Sequence, residues 1–223
     1  MSDLPEDSPA LREAVIGTAR AMNASGINVN KSGNVSVRCA RGGRPGFLLT
    51  PSGVPYARLE ADDVVFVDEA GRPQGRREPS SEWRFHAAIF AARREFAAIV
   101  HTHSACATAL ACQGLSIPAF HYMVAVAGGH DIRCADYATF GTQALADHAV
   151  VALQDRKACL LAHHGVIACG GSLDAALALA IEVENLARTY LAVRALGEPR
   201  LLEAEEMDRV LERFRTYGQS GRA

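Results

Sequence analysis

Ala97-Ala98-Ile99-Val100-His101-Thr102-His103 is the stretch on which the reading of this chain turns. Its apolar opening predicts a buried strand. Side chains two apart on a strand share a face, so His101 and His103 are expected to point the same way. Two imidazoles on one face make a two-nitrogen clamp for a metal ion. A pair of exposed histidines at a strand end is the plainer alternative.

Outward from this stretch, SEWRFHAAIFAARR (81–94) and SACATALACQG (104–114) are alanine-rich and predict helices on either side. VSVR (35–38), FLLT (47–50) and DVVFVD (63–68) are short β-rich runs between Gly/Pro clusters, the pattern of strands in a mainly antiparallel sheet. Ser8-Pro9 ahead of LREAVIGTARAMNASG (11–26) reads as an N-cap, an N1 proline, a helical period and a closing Gly26. GTQALADHAVVALQ (141–154) predicts another helix, and ACLLAHHGVIACGG (158–171) predicts buried strands around a turn. A long helix should run from Leu173 to about Leu196. After the break at Glu198-Pro199, AEEMDRVLERFRTYG (204–218) should form a last, amphipathic one. The expected architecture is a three-layer α/β/α sandwich around a mainly antiparallel sheet, in a single domain spanning 1–223.

Bulk properties narrow the function. Of 223 residues 49% are hydrophobic, enough to bury a sizeable core. The 23 Lys+Arg and 25 Asp+Glu are scattered, which leaves no basic stripe for a nucleic-acid backbone. The opening MSDLPEDSPALREA is acidic and polar, unlike a signal peptide, and no apolar run reaches the roughly 20 residues of a membrane helix. Cys39, Cys106, Cys112, Cys134, Cys159 and Cys169 form no C-x-x-C pair and mostly sit in apolar stretches, so a reduced cytoplasmic setting is expected.

A third histidine cluster, Leu161-Ala162-His163-His164-Gly165, ends another apolar run. Adjacent strand residues face opposite sides, so one of His163 and His164 is expected in the site and the other in packing or hydrogen bonding; spacing does not choose between them. Glu82, at the start of a predicted helix, supplies a carboxylate, and three histidines with one carboxylate suit zinc. His86 shares the helical face of Glu82 and is a weaker ligand candidate. His121, His130 and His148 have no partner at metal-binding spacing.

Three turns, Ser32-Gly33-Asn34, Thr50-Pro51-Ser52-Gly53 and Pro79-Ser80-Ser81, carry the backbone N–H groups and hydroxyls that hold a phosphate, although each alone is only a turn. An imine-forming mechanism needs a desolvated lysine, and the chain offers only Lys31 and Lys157. Lys157 lies in a stretch expected to be solvated. Lys31, beside Gly33 and Asn34, is better placed to help hold phosphate. Metal catalysis is therefore favoured.

Taken in order, GNVSVR (33–38), LLTPSGVPY (48–56), PSSEWRFHAAIF (79–90), IVHTHS (99–104), SIPAFHYMVAVAGG (116–129), CADYATFGT (134–142), LLAHHGVIACG (160–170) and RFRTYG (213–218) resemble the class II aldolase/adducin family, closest to the bacterial L-fuculose-1-phosphate aldolases. The resemblance implies zinc, or another divalent metal such as manganese or cobalt, on Glu82, His101, His103 and His164. It implies phosphate held by Gly33, Asn34, Ser52, Gly53, Ser80 and Ser81. Glu82 would act both as ligand and as acid/base. A tyrosine from a neighbouring subunit, here Tyr122, would donate a proton to the aldehyde oxygen, and Tyr217 matches another site tyrosine. The implied reaction cleaves a phosphorylated ketose to dihydroxyacetone phosphate and a small aldehyde in a homotetramer. Pentulose-5-phosphate 4-epimerase, methylthioribulose-phosphate dehydratase and a non-catalytic adducin-like assembly module are the alternatives on the same fold. Two departures stand out: Lys31-Ser32 where relatives carry a small Thr-Ser or Thr-Ala pair, and an Arg/Gly-rich segment CARGGRPGF (39–47) that looks longer than usual.

Overall fold

A computed structural model describes residues 4–216. Eight strands form one sheet: β1 (Asn34–Arg41), β2 (Arg44–Leu49), β3 (Val65–Asp68), β4 (Pro73–Gln74), β5 (Ala98–Thr102), β6 (Cys134–Ala135), β7 (Ala158–Leu161) and β8 (Gly165–Gly170). Their spatial order is β4-β3-β2-β1-β5-β8-β7-β6, and every neighbouring pair is antiparallel except β6 with β7.

The helices are α1 (Pro9–Ala24), α2 (Trp83–Ala92), α3 (Ala105–Cys112), α4 (Gln143–Ala152), α5 (Leu173–Leu196) and α6 (Ala204–Thr216). Their starts follow local chemistry. The Ser8 hydroxyl accepts from the Leu11 N–H ahead of Pro9, and the Ser172 hydroxyl accepts from the Ala175 N–H.

Strand alternation sorts the core into two faces. Val35, Val37, Leu48, Phe66, Val100, Leu160 and Val166 pack against α1, α3 and α5. Phe47, Leu49, Val65, Val67, Ile99, Leu161 and Ile167 pack against Phe85, Ile89 and Phe90 of α2 and Leu145 and Ala149 of α4. The three-layer sandwich expected from the sequence is the observed one.

The segment CARGGRPGF is a hairpin rather than an extended loop. β1 runs to Arg41 and β2 starts at Arg44, leaving Gly42 and Gly43 at φ 58° and 76°. Positive φ at both central residues is what a two-residue turn between twisted strands requires. Among the described residues no helix is long and apolar enough to cross a membrane.

Candidate metal centre

β5 presents His101 on the α2 face, in line with Ile99, and His103 follows just beyond the strand end. His101 is fully buried, and its Nδ1–H donates to the Val166 carbonyl of β8 at 2.8 Å. That bond places the proton on Nδ1 and leaves the Nε2 lone pair aimed into the site.

His164 arrives from the β7–β8 turn. The separation of the two neighbouring histidines comes from that turn and not from the strand pleat assumed for them. His163 takes φ 55° and is exposed, its ring edge-on to Tyr137 and its N–H bonded to the Ala111 carbonyl. His164 then points inward, its N–H donating to the Leu161 carbonyl.

Glu82, 6% exposed, stands at the N-terminal end of α2. Its Oε2 lies 3.2 Å from His101 Nε2 and its Oε1 3.1 Å from His164 Nε2, while His101 Nε2 and His103 Nε2 are 3.0 Å apart. One ligand atom from each of Glu82, His101, His103 and His164 lies within 4.8 Å of the others. The three rings stand edge-on, with centroids 4.8–4.9 Å apart and planes inclined by 74–80°.

The donor set fits a divalent cation. Glu82 Oε1 is buried and accepts no hydrogen bond, an expensive state for a carboxylate oxygen. With its proton on Nδ1, His101 faces His103 nitrogen to nitrogen, which a positive charge between them would relieve. Three imidazoles and one carboxylate suit a borderline metal ion. Burial, then the neighbouring His101 and His164, lowers His103 to about 3. Burial raises the Glu82 carboxyl, but the neighbouring His101 and His164 outweigh it, and the net position is below the ordinary carboxylate range. Both groups are thus in their ligand forms at neutral pH.

His86 is not in the cluster. It is fully buried, its Nδ1 2.7 Å from Ser36 Oγ and its Nε2 2.5 Å from Asn34 Oδ1, and burial lowers it to about 3. Of the other histidines, His130 pairs with Asp208, His148 with the Asp136 carbonyl, and His121 accepts from the Met123 N–H. All six cysteines are free thiols.

The three turns meet beside this cluster. Asn34 Nδ2 donates to Ser80 Oγ at 3.1 Å and to Glu82 Oε2 at 2.9 Å. The Ser80 N–H donates to the Thr50 carbonyl, Pro51 bridges Pro79, and the Ser52 N–H donates to the Glu78 carbonyl. Lys31 Nζ donates to the Gly53 carbonyl at 2.8 Å, tying the first turn to the second. Gly33 is buried, while Ser52, Gly53 and Ser81 are exposed. Lys157 is exposed. Tyr122 opens a 3-10 helix (Tyr122–Ala127), is 51% exposed and stacks on His121. Tyr217 lies outside the described residues.

Sequence reasoning passed over Asn28 and Gly165. The buried Asn28 accepts from Ser32 Oγ at 3.2 Å and approaches the His103 N–H at 3.5 Å, which links the first turn to a ligand strand. Its only sequence signal is a polar residue just past the helix-closing Gly26. Gly165 backs the two β5 histidines, and its signal is its place directly after the histidine pair.

The α/β/α sheet carries a three-histidine, one-carboxylate cluster beside three converging turns, and comparison with known proteins assigns the chain to a class of metal-dependent lyases, the class II aldolases. The profile described as "Class II Aldolase and Adducin N-terminal domain" matches residues 13–191, and the chain belongs to that family. It is 52% identical over 217 residues to the 5-methylthioribulose-1-phosphate/5-deoxyribulose-1-phosphate aldolase of Rhodospirillum rubrum, which covers 97% of this chain and 96% of that one. It is 47% identical over 209 residues to the L-fuculose phosphate aldolase of Escherichia coli, covering 93% and 95%. A solved L-fuculose 1-phosphate aldolase superposes with a TM-score of 0.89 at 36% identity, covering 96% of this chain and all of that one.

Proposed function

We propose that this chain cleaves a ketose 1-phosphate reversibly to dihydroxyacetone phosphate and a short aldehyde, with zinc on Glu82, His101, His103 and His164. The observation that carries it is the orphaned Glu82 oxygen among three converging imidazoles, next to the turns that Asn34 and Ser80 join. The relatives' names, for 5-methylthioribulose-1-phosphate/5-deoxyribulose-1-phosphate and L-fuculose phosphate, support the substrate class.

When bound, the cation supplies electrostatic stabilisation of the negative charge that develops on the three-carbon fragment. The rest falls to the protein. Gly33, Asn34, Ser52, Gly53, Ser80 and Ser81 hold the phosphate and so fix the ketose, which converts binding energy into orientation. In the condensation direction Glu82 removes the proton from the carbon that becomes C3, and Tyr122, supplied by a neighbouring subunit of a homotetramer, gives one to the aldehyde oxygen. Proton return from Glu82 to Tyr122 through solvent then resets the site with no net proton consumed, and cleavage runs these transfers in reverse. Tyr217, matched by the resemblance to a site tyrosine, is assigned to the substrate-binding set.

The test is a coupled assay for dihydroxyacetone phosphate with added zinc, run on L-fuculose, 5-deoxyribulose and 5-methylthioribulose 1-phosphates. Product is expected from at least one. No product from any refutes the proposal, and an inverted pentulose phosphate without a three-carbon product indicates epimerisation. Tyr122→Phe should lower turnover by about 100-fold, the scale of a lost proton-transfer group, while leaving bound metal unchanged. Turnover like that of the parent removes Tyr122 from the mechanism.

A further inference from the structure

His86 is a buried polar side chain on the α2 face that the proposed chemistry leaves unused: an imidazole with no exposed surface and a partner on each nitrogen. Its partners, Ser36 and Asn34, lie two apart on β1 and therefore on one face of the strand. The helix contributes its own periodicity, since Glu82 and His86 are four apart and both face the same asparagine. Sheet register sets Asn34 directly opposite His101.

One assignment of protons satisfies the polar atoms of both His86 and Asn34. Asn34 lies 2.9 Å from Glu82 Oε2 and 3.1 Å from Ser80 Oγ through the same amide nitrogen. If the carboxamide turned over, its oxygen would face the Glu82 carboxylate, oxygen against anion. The Asn34 oxygen must therefore face His86 Nε2, which makes that nitrogen the donor and Nδ1 the acceptor of the Ser36 hydroxyl. The donors then run in one direction, Ser36 Oγ–H to His86 Nδ1, His86 Nε2–H to Asn34 Oδ1, and Asn34 Nδ2–H to Glu82 Oε2.

We infer that His86 is a positioning residue of the metal centre: it locks the Asn34 carboxamide in the one orientation that donates to Glu82, and so holds the carboxylate in its ligand pose. It acts through Asn34 and touches neither ion nor substrate. The inference rests on the reading of Glu82, His101, His103 and His164 as a metal centre.

Cobalt(II), followed by its visible absorption and by competition with a chelator, reports on that centre without any turnover. The parent should give a tight site with a resolved spectrum, and a parent that binds no cobalt overturns the metal reading and this one with it. His86→Leu should weaken cobalt binding by about 10–100-fold, the range for residues that orient ligands. His86→Gln, whose amide nitrogen stands close to the lost Nε2–H, should restore most of it. In an Asn34→Ala background His86→Leu should cost nothing further, because the path to Glu82 is already cut. A full additional loss in the double variant, a Gln variant as weak as the Leu variant, or unchanged binding in His86→Leu overturns the inference. If His86→Leu does not fold, His86→Asn, whose shorter amide falls short of Asn34, takes its place. Weakened cobalt binding that adds nothing beside Asn34→Ala supports the relay, and binding like the parent's overturns it.

Discussion

A side chain at position 165 has nowhere to go: a Cβ there would run into the Thr102 carbonyl and stand 3.0 Å from His103 Cδ2 and 3.3 Å from His101 Cε1. The backbone at the start of β8 is thus a wall against which His101 and His103 lean. Gly165→Ala should push the rings out of their poses and lower zinc affinity by about 10-fold or more, as disturbed ligand support does elsewhere. Chelator competition reads it, and parent-like affinity would show that the wall yields. The neighbouring histidines give a sharper contrast. His163 sits at φ 55°, where asparagine is comfortable, so His163→Asn should keep its metal, whereas His164→Asn should leave the purified protein well below one zinc per chain. Equal zinc content in the two variants would overturn the assignment of His164. At this scale the convergence of His101 and His103 was legible from the strand's period of two, which carries one step past the end of β5. The choice of His164 over His163 was not, because a turn with one left-handed residue obeys no period. His86 could be placed on the face of Glu82 by helical spacing, but only the position of β1 decides that it bonds Asn34 and stays out of the ligand set.

Helix α3 begins immediately after His103, and its start is held from far away. Glu184, 4% exposed on α5, accepts from the Cys106 and Ala107 N–H groups at 2.9 Å through its two oxygens. Ser104, the residue at the cap position, makes no side-chain bond there, so the distant carboxylate meets the first-turn donors and the positive end of the helix. Glu184→Ala should destabilise the fold by about 1–3 kcal/mol, the cost of leaving charged-group hydrogen bonds unmade, with Glu184→Gln losing less. Urea midpoints would measure it; an unchanged midpoint for the alanine variant would mean that water replaces the carboxylate. Most element boundaries were legible from such local chemistry: Ser8-Pro9 and the helical period after it predicted α1, and the run 173–196 predicted α5, both closely. β4 and β6 were not, because two residues carry no alternation, and Glu184 read as one more polar helix position because its partners lie 77 and 78 residues away.

Over the whole molecule, the layering was legible and the strand order was not. Alternation along each run says that both faces of the sheet are covered, as the two core clusters are, but the adjacency of β1 to β5 is a non-local pairing that no window contains. That adjacency brings Asn34, Glu82, His86 and His101 together, and it buries an imidazole the fold must keep neutral. Here stability and pH are linked. Burial, with His101 adding to it and Glu82 opposing, takes His86 down to about 3, so between about pH 6.5 and 3 the unfolded chain binds a proton there that the folded chain does not. Unfolding then takes up a proton, and stability falls as pH drops below 6.5. From pH 7.5 to 5.0 the loss at this one group is about 2 kcal/mol, a sizeable part of a typical 5–15 kcal/mol. The measurement compares metal-free parent with metal-free His86→Phe by urea unfolding at the two pH values. The variant is expected to start less stable at pH 7.5, where its lost hydrogen bonds count, yet to lose about 2 kcal/mol less on acidification, so the two curves converge. Parallel curves would mean that His86 takes up its proton in the folded chain as readily as in the unfolded one, and that its burial carries no acid sensitivity.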